Sequence, residues 1–188
     1  MNEAIKNIHE RRSVRMYQDK AVPKDVMDEI INAGNDAPSG SNAQPWRFVV
    51  VEDKKVRERL VELSNPLVEK WIEKYANETF KKLRERLSAK NADTIYYSAP
   101  AIIFVIGKGP SSPLDCPMVC ENMMLAARSL GIGSCWVHFG QLVCDEPEVM
   151  KMLEISDGEK VYGPILLGYP KGDFPKAPPK KEPVVKRI

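Results

Sequence analysis

The stretch that most constrains this chain runs from Ala37 to Glu52, APSGSNAQPWRFVVVE. Its first half, Pro38 to Pro45, is a polar loop holding a glycine between two prolines. Its second half, Trp46 to Val51, is a short apolar run rich in β-branched residues, the pattern of a buried strand. A polar loop feeding directly into such a strand brings amides, hydroxyls and free backbone N–H groups to the edge of a core. That edge suits a planar polar ligand. An ordinary helix-to-strand turn draws on the same residue types.

The 188 residues suit one domain, or one domain with an arm. The net charge of +2 speaks against bulk nucleic-acid binding. No apolar run approaches the roughly 20 residues that a membrane helix needs. The opening MNEAIKNIHERR lacks the apolar core of a signal peptide. A cytoplasmic protein with no membrane partner is therefore expected. Cys116, Cys120, Cys135 and Cys144 do not form a secreted disulfide framework in a chain this long. Cys116 and Cys120 stand one helical turn apart, but no His or second Cys pair lies at metal spacing. They read as small buried residues, and no metal is expected.

Periodicity predicts helices over Asn2–Arg11, Pro23–Asp36, Asp53–Leu63, Leu67–Leu87, Asp115–Gly131 and Glu146–Leu153. Asn65-Pro66 is expected to separate the third from the fourth, and Pro117 to sit in the first turn of the fifth. Strands are expected over Trp46–Val51, Ala99–Gly107, Ile132–Gly140 and Lys160–Tyr169. His138 then falls inside an apolar strand and reads as a core histidine. Trp71, Tyr75, Phe80, Leu83 and Leu87 read as core or partner contacts. The Pro-rich end from Lys171 to Ile188 must run extended. It carries six basic and two acidic residues, so it holds +4 and the rest of the chain −2. Such a tail can be a solvated end, a nucleic-acid arm or one wall of an anion site.

Arg11, Arg12, Ser13 and Arg15 put three guanidiniums and a hydroxyl within five residues. A solvated patch at a helix end is one reading, since cations are favoured there. A phosphate site is the other, because Arg offers a bidentate fork and Ser a short hydrogen bond. Around Gly133 and Ser134 small side chains would let backbone N–H groups approach a flat ring. No P-loop or G-x-G-x-x-G follows a strand, and no Ser or Cys has evident His and Asp partners.

ERRSVRMY, from Glu10 to Tyr17, and the loop PSGSNAQPW together resemble the opening motifs of the nitroreductase family of FMN-dependent oxidoreductases. APAIIFV, ENMMLAARSLGIGSCW and PILLGYP then occur in the family's order, so the resemblance covers nearly the whole chain. It implies an α+β sandwich: a mostly antiparallel central sheet flanked by helices, in an intertwined homodimer. Residues 1–170 would form the FMN-binding domain, and residues 171–188 an arm serving the dimer and the phosphate site.

By the same resemblance, Arg11, Arg12 and Ser13 match phosphate-binding residues. Arg15 matches the cation beside the pyrimidine edge of the flavin ring. Pro38, Ser39, Gly40 and Asn42 match the strip that packs on the ring from the partner subunit. Ile132, Gly133 and Ser134 match the segment near N5. Lys180 and Lys181 stand where an Arg or Lys often completes the phosphate site. No side chain is expected to be catalytic, since the chemistry belongs to flavin N5. NAD(P)H would deliver electrons and leave, and a nitroaromatic, quinone or related small acceptor would take its place. Trp71, Tyr75 and Phe80 could stack on substrate from a lid. Two alternatives use the same site: a flavin-dependent dehalogenase or dehydrogenase, and a flavin-binding electron-transfer protein without turnover of its own.

Overall fold

The structure is a computed structural model that describes residues 1–75 and 93–188. Its centre is a four-stranded sheet of β1 (Trp46–Val51), β2 (Ala101–Lys108), β3 (Gly133–Trp136) and β4 (Glu159–Gly168), in the order β1-β2-β4-β3. Every neighbouring pair is antiparallel, as the α+β expectation requires. The helices are α1 (Glu3–Glu10), α2 (Lys24–Asn35), α3 (Lys54–Tyr75), α4 (Ser112–Ser129) and α5 (Pro147–Met152).

Strand β2 divides the core. Side chains alternate across a strand, so Ile102, Phe104 and Ile106 face one layer while Ala101, Ile103 and Val105 face the other. The first layer holds Leu60, Val68 and Ile72 of α3, and the second Met27 and Ile30 of α2 with Val119 and Met123 of α4. Cys116 and Cys120 belong to that second layer, where burial pushes both thiols up to about 12 and removes them from thiolate chemistry at neutral pH.

Four expectations need correction. Asn65-Pro66 does not break the chain: α3 runs through Pro66. Leu60, Ser64, Val68 and Ile72 recur every fourth residue and are all buried, and the Ser64 and Tyr96 hydroxyls hydrogen-bond at 3.0 Å. That packing outweighs the one backbone hydrogen bond a proline removes. Strand β1 is an edge strand and only its Val51 is buried. Helix α4 begins at Ser112 with Pro113 in its first turn, which leaves Pro117 in the interior. The third strand stops at Trp136, and His138–Gln141 forms a 3-10 turn that puts His138 in the open.

Trp71 meets the Phe139 ring edge-on, with centroids 5.1 Å apart. Phe80, Leu83 and Leu87 lie outside the described residues. No described helix is long and apolar enough to cross a membrane.

One ion pair ties the edge strand across the sheet. Arg47 of β1 reaches over β2 to β4, where its Nε and Nη2 donate to the two carboxylate oxygens of Glu159, each at 2.8 Å. Hydrogen bonding from Arg47, helped by the Ser156 N–H, holds the Glu159 carboxyl at about 2, below its ordinary 4.5. A depressed folded value means that this stabilisation is complete above the ordinary value and disappears as pH falls toward 2. Urea unfolding midpoints measured from pH 6 down to about 2.5 should therefore fall less steeply for Glu159→Gln than for the parent. Parallel slopes would show that the pair contributes nothing.

Candidate anion-binding site

Helix α1 exists to deliver Arg11. Asn2 caps it, its side chain accepting from the Ala4 N–H at 2.8 Å, and the Arg11 N–H closes the last turn on Asn7 O at 2.9 Å. The backbone then turns extended at Arg11. Ser13 bridges to Ser134 of β3 in parallel, and the Val14 N–H donates to Ser134 O at 2.9 Å. Four residues on, the Gln18 N–H donates to Tyr169 O at 2.9 Å, and Tyr17 bridges to Pro170. The motif is thus laid like an extra strand along the sheet's edge. In an extended segment alternate residues share a side. Val14 points inward and is buried, which turns Arg11, Ser13 and Arg15 the other way.

Those three residues and Arg12 line a cleft of about 670 Å³. Its far wall is the tail, through Pro175, Lys176, Pro178 and Lys180. Arg11, Arg12, Arg15, Lys176 and Lys180 converge there against one carboxylate among the described residues, Glu121 of α4. Arg11 Nε lies 3.2 Å from a Glu121 oxygen. Arg12 Nη1 donates to the Arg11 carbonyl, while Arg12 Nε is buried with no partner of its own. An orphaned buried donor on a guanidinium is costly unless something accepts from it. A cleft with this charge and this free donor is built for an anion of more than one charge.

Of the residues singled out in the sequence, the fold brings Arg11, Arg12, Ser13, Arg15 and Lys180 together. Lys181 follows in the exposed tail and is not part of the wall. Ile132, Gly133 and Ser134 lie directly beneath the motif and are buried. The space left by the absent Gly133 side chain is filled by Val14, since a Cβ there would meet Val14 Cγ2 at 2.8 Å.

Pro38, Ser39, Gly40 and Asn42 do not reach this cleft within one chain. Their loop folds on itself: Ser39 Oγ accepts from the Gln44 N–H at 3.0 Å, and Ser41, Asn42 and Gln44 all take left-handed φ values near +50°. Pro38, Gly40 and Asn42 stand exposed. Sequence reasoning missed Glu121, whose approach is set by how α1 packs on α4, and Lys176, which only its place in the basic tail hinted at.

Comparison with known proteins agrees with this architecture. The model of the nitroreductase family matches residues 8–169. A provisionally named NADH dehydrogenase/NAD(P)H nitroreductase of Archaeoglobus fulgidus is 32% identical over 180 residues, 92% of this chain and 88% of the relative. The crystal structure of a nitroreductase with bound FMN from Bacteroides fragilis is 34% identical, superposes with a TM-score of 0.80, and is covered fully by this chain as this chain is by it. Iodotyrosine deiodinase 1 of Rattus norvegicus is 35% identical over 87% of this chain and 60% of its own length. The chain belongs to the nitroreductase family.

The packing of Val14 on Gly133 is directly testable. Gly133→Ala should cost about 1–3 kcal/mol by overpacking. Val14→Ala removes the two methyl groups nearest the new Cβ. Chemical denaturation of the single and double variants should then show a combined loss smaller than the sum of the two. Additive losses would mean that the two positions do not touch.

Proposed function

We propose that this chain is an FMN-dependent oxidoreductase that takes electrons from NAD(P)H and passes them, by a ping-pong scheme in one shared site, to nitroaromatic, quinone or related small acceptors. The observation that carries the reading is the cleft: Arg11, Arg12, Ser13, Arg15 and Lys180 around one opening, with a buried donor on Arg12 left without a partner. It suits a phosphate ester of nearly two charges. The family membership and the FMN-bound relative of Bacteroides fragilis support the choice of flavin.

Bound FMN would supply the redox chemistry, and the chain would bind and tune it. Arg11, Arg12 and Ser13 would hold the phosphate from the motif side, and Lys180 would close on it from the tail, with Lys181 behind. The Arg11–Glu121 pair is partly exposed, chiefly at Glu121, so a phosphate could displace the carboxylate. Arg15 stands two residues beyond Ser13, on the same side of the extended segment. From there it would meet the pyrimidine edge of a bound ring, where negative charge gathers on reduction, and would favour the reduced state. Ile132, Gly133 and Ser134 border the ring side of the site by carrying the Val14–Arg15 segment.

The reading includes a homodimer. The polar loop Pro38–Asn42 stands apart from its own chain's cleft and would pack against the flavin of a second copy. Helix α1 buries no residue within one chain, and Ile5 and Ile8 on it and Leu114 and Met118 on α4 are exposed. These surfaces want a cover that a second copy would provide. Residues 1–170 form the flavin domain in this view, with 171–188 as its arm.

A second reading, reductive removal of halide from a halogenated phenol at the same site, draws on the likeness to the rat deiodinase. Supplying the purified protein with NAD(P)H and either a nitroaromatic or a halogenated phenol, and measuring cofactor oxidation and released halide, separates the two.

Heating the purified protein and chromatographing what it releases should yield FMN. FAD as the sole flavin would overturn the reading. Arg11→Ala should weaken FMN binding with little effect on the potential of the flavin retained. Arg15→Ala should retain FMN but lower the two-electron potential by about 30 mV for each 1.4 kcal/mol of preferential stabilisation lost. Spectroscopic redox titration at measured flavin occupancy decides between these roles. Loss of flavin from Arg15→Ala at unchanged potential would contradict them.

A further inference from the structure

We propose that Arg128, which does not line the cleft, is the positioning residue that holds its two walls at the right separation. The proposal rests on the FMN reading above. Arg128 stands in the last turn of α4. Its Nη2 donates to Glu10 Oε2 at 2.7 Å, and its Nε donates to the Glu10 carbonyl at 3.4 Å. Its guanidinium carbon also lies 4.4 Å from the centroid of the Phe174 ring. Glu10 lies in the motif wall between His9 and Arg11, both of which line the cleft, and Phe174 immediately precedes Pro175, where the tail wall begins. One guanidinium therefore touches a residue within the motif wall and the residue next to the tail wall.

The tail has little else to hold it. Between Lys171 and Ile188, Phe174 alone escapes full exposure. Upstream, the Lys171 N–H is fastened to Met16 O at 2.9 Å. If Phe174 is freed, that bond becomes the nearest anchor, and Lys180 hangs from a tether of nine residues where it had six. A longer free tether lowers the effective concentration of its end at a fixed site. Ordering the tail at the moment of binding then costs conformational entropy that the Arg128 contact otherwise removes beforehand. Arg is suited to the task because one planar group can pair with a carboxylate in its plane and stack on an aromatic ring with its face.

The test uses the full-length chain stripped of flavin and titrated with FMN, reading the quenching of flavin fluorescence. Tryptic cleavage at Lys176, Lys180 and Lys181 is followed in parallel, with and without FMN. Phe174→Leu should raise the FMN Kd about fivefold and Arg128→Ala about tenfold. The double variant should be no worse than Arg128→Ala, because the ring acts through that guanidinium. Phe174→Trp, which keeps the aromatic face, should restore affinity. Both weakening variants should be cut faster in the tail, while the potential of the flavin they bind stays that of the parent. Phe174→Leu lies on the arm and does not disturb the helix, so it serves if Arg128→Ala fails to fold. If the parent binds FMN and Phe174→Leu binds it equally well with an unchanged rate of cleavage, the role of Arg128 is refuted and the FMN reading stands. If the parent binds no flavin, both fall.

Discussion

The site depends on three backbone hydrogen bonds that lay residues Ser13 to Gln18 along the sheet: Val14 N–H to Ser134 O, Gln18 N–H to Tyr169 O, and Lys171 N–H to Met16 O. They join the start of the chain to its end. Without them Arg11 and Arg15 would be the solvated residues of a helix terminus, and the tail a loose charged end. With them, two segments more than 150 residues apart in the sequence become opposite walls of one cleft. The pairing in turn depends on Gly133, because the inward Val14 needs the volume a side chain there would take. One missing Cβ thus decides how closely the cationic strip can lie against the sheet.

Electrostatics explain why the cations can gather at all. The chain's net charge is only +2, so the cleft is a local concentration within a nearly balanced protein. Five cations around one opening repel one another, and that repulsion is tolerable at a surface where solvent screens it. One carboxylate relieves it from within: Glu121 against Arg11 in the cleft. The buried donor on Arg12 is the part of the arrangement that protein atoms leave unsatisfied.

Much of this could be read from local pattern. The helix from Pro23, the strand from Trp46 and the last strand each lie within a residue or two of their expected limits, because period and flanking residues agree there. The motif's Arg11, Ser13 and Arg15 stood out by residue type, three guanidiniums and a hydroxyl within five residues, although long-range hydrogen bonds decide where they lie. The failures share one cause. Pro66 reads as a breaker on local grounds, and only the burial of Leu60, Ser64, Val68 and Ile72 against the sheet keeps the helix whole. His138 reads as a core residue by its apolar neighbours, yet the chain curls into a 3-10 turn and exposes it. Glu121 and Arg128 carried no signal because their partners lie more than 100 residues away. Long-range packing decides such positions, and one sequence does not display it.

A single chain also leaves its own chemistry divided. The cationic cleft and the polar loop at Pro38–Asn42 were the two features most distinctive in the sequence, and the fold keeps them apart. The loop is not idle in its own chain: the Gly40 N–H reaches Asp115 Oδ1 at 3.4 Å, and the left-handed backbone at Ser41, Asn42 and Gln44 holds an exposed, preformed turn. Three non-glycine residues in that region carry a conformational cost that solvent contact alone does not repay. The apolar side chains left bare on α1 and α4 point to the same conclusion. A surface that is preformed, strained and next to uncovered apolar groups gains most when another surface closes on it. Under the proposed dimer, each chain would bring the phosphate grip for one flavin and the polar loop for the other, so neither site could be complete until the two chains had met.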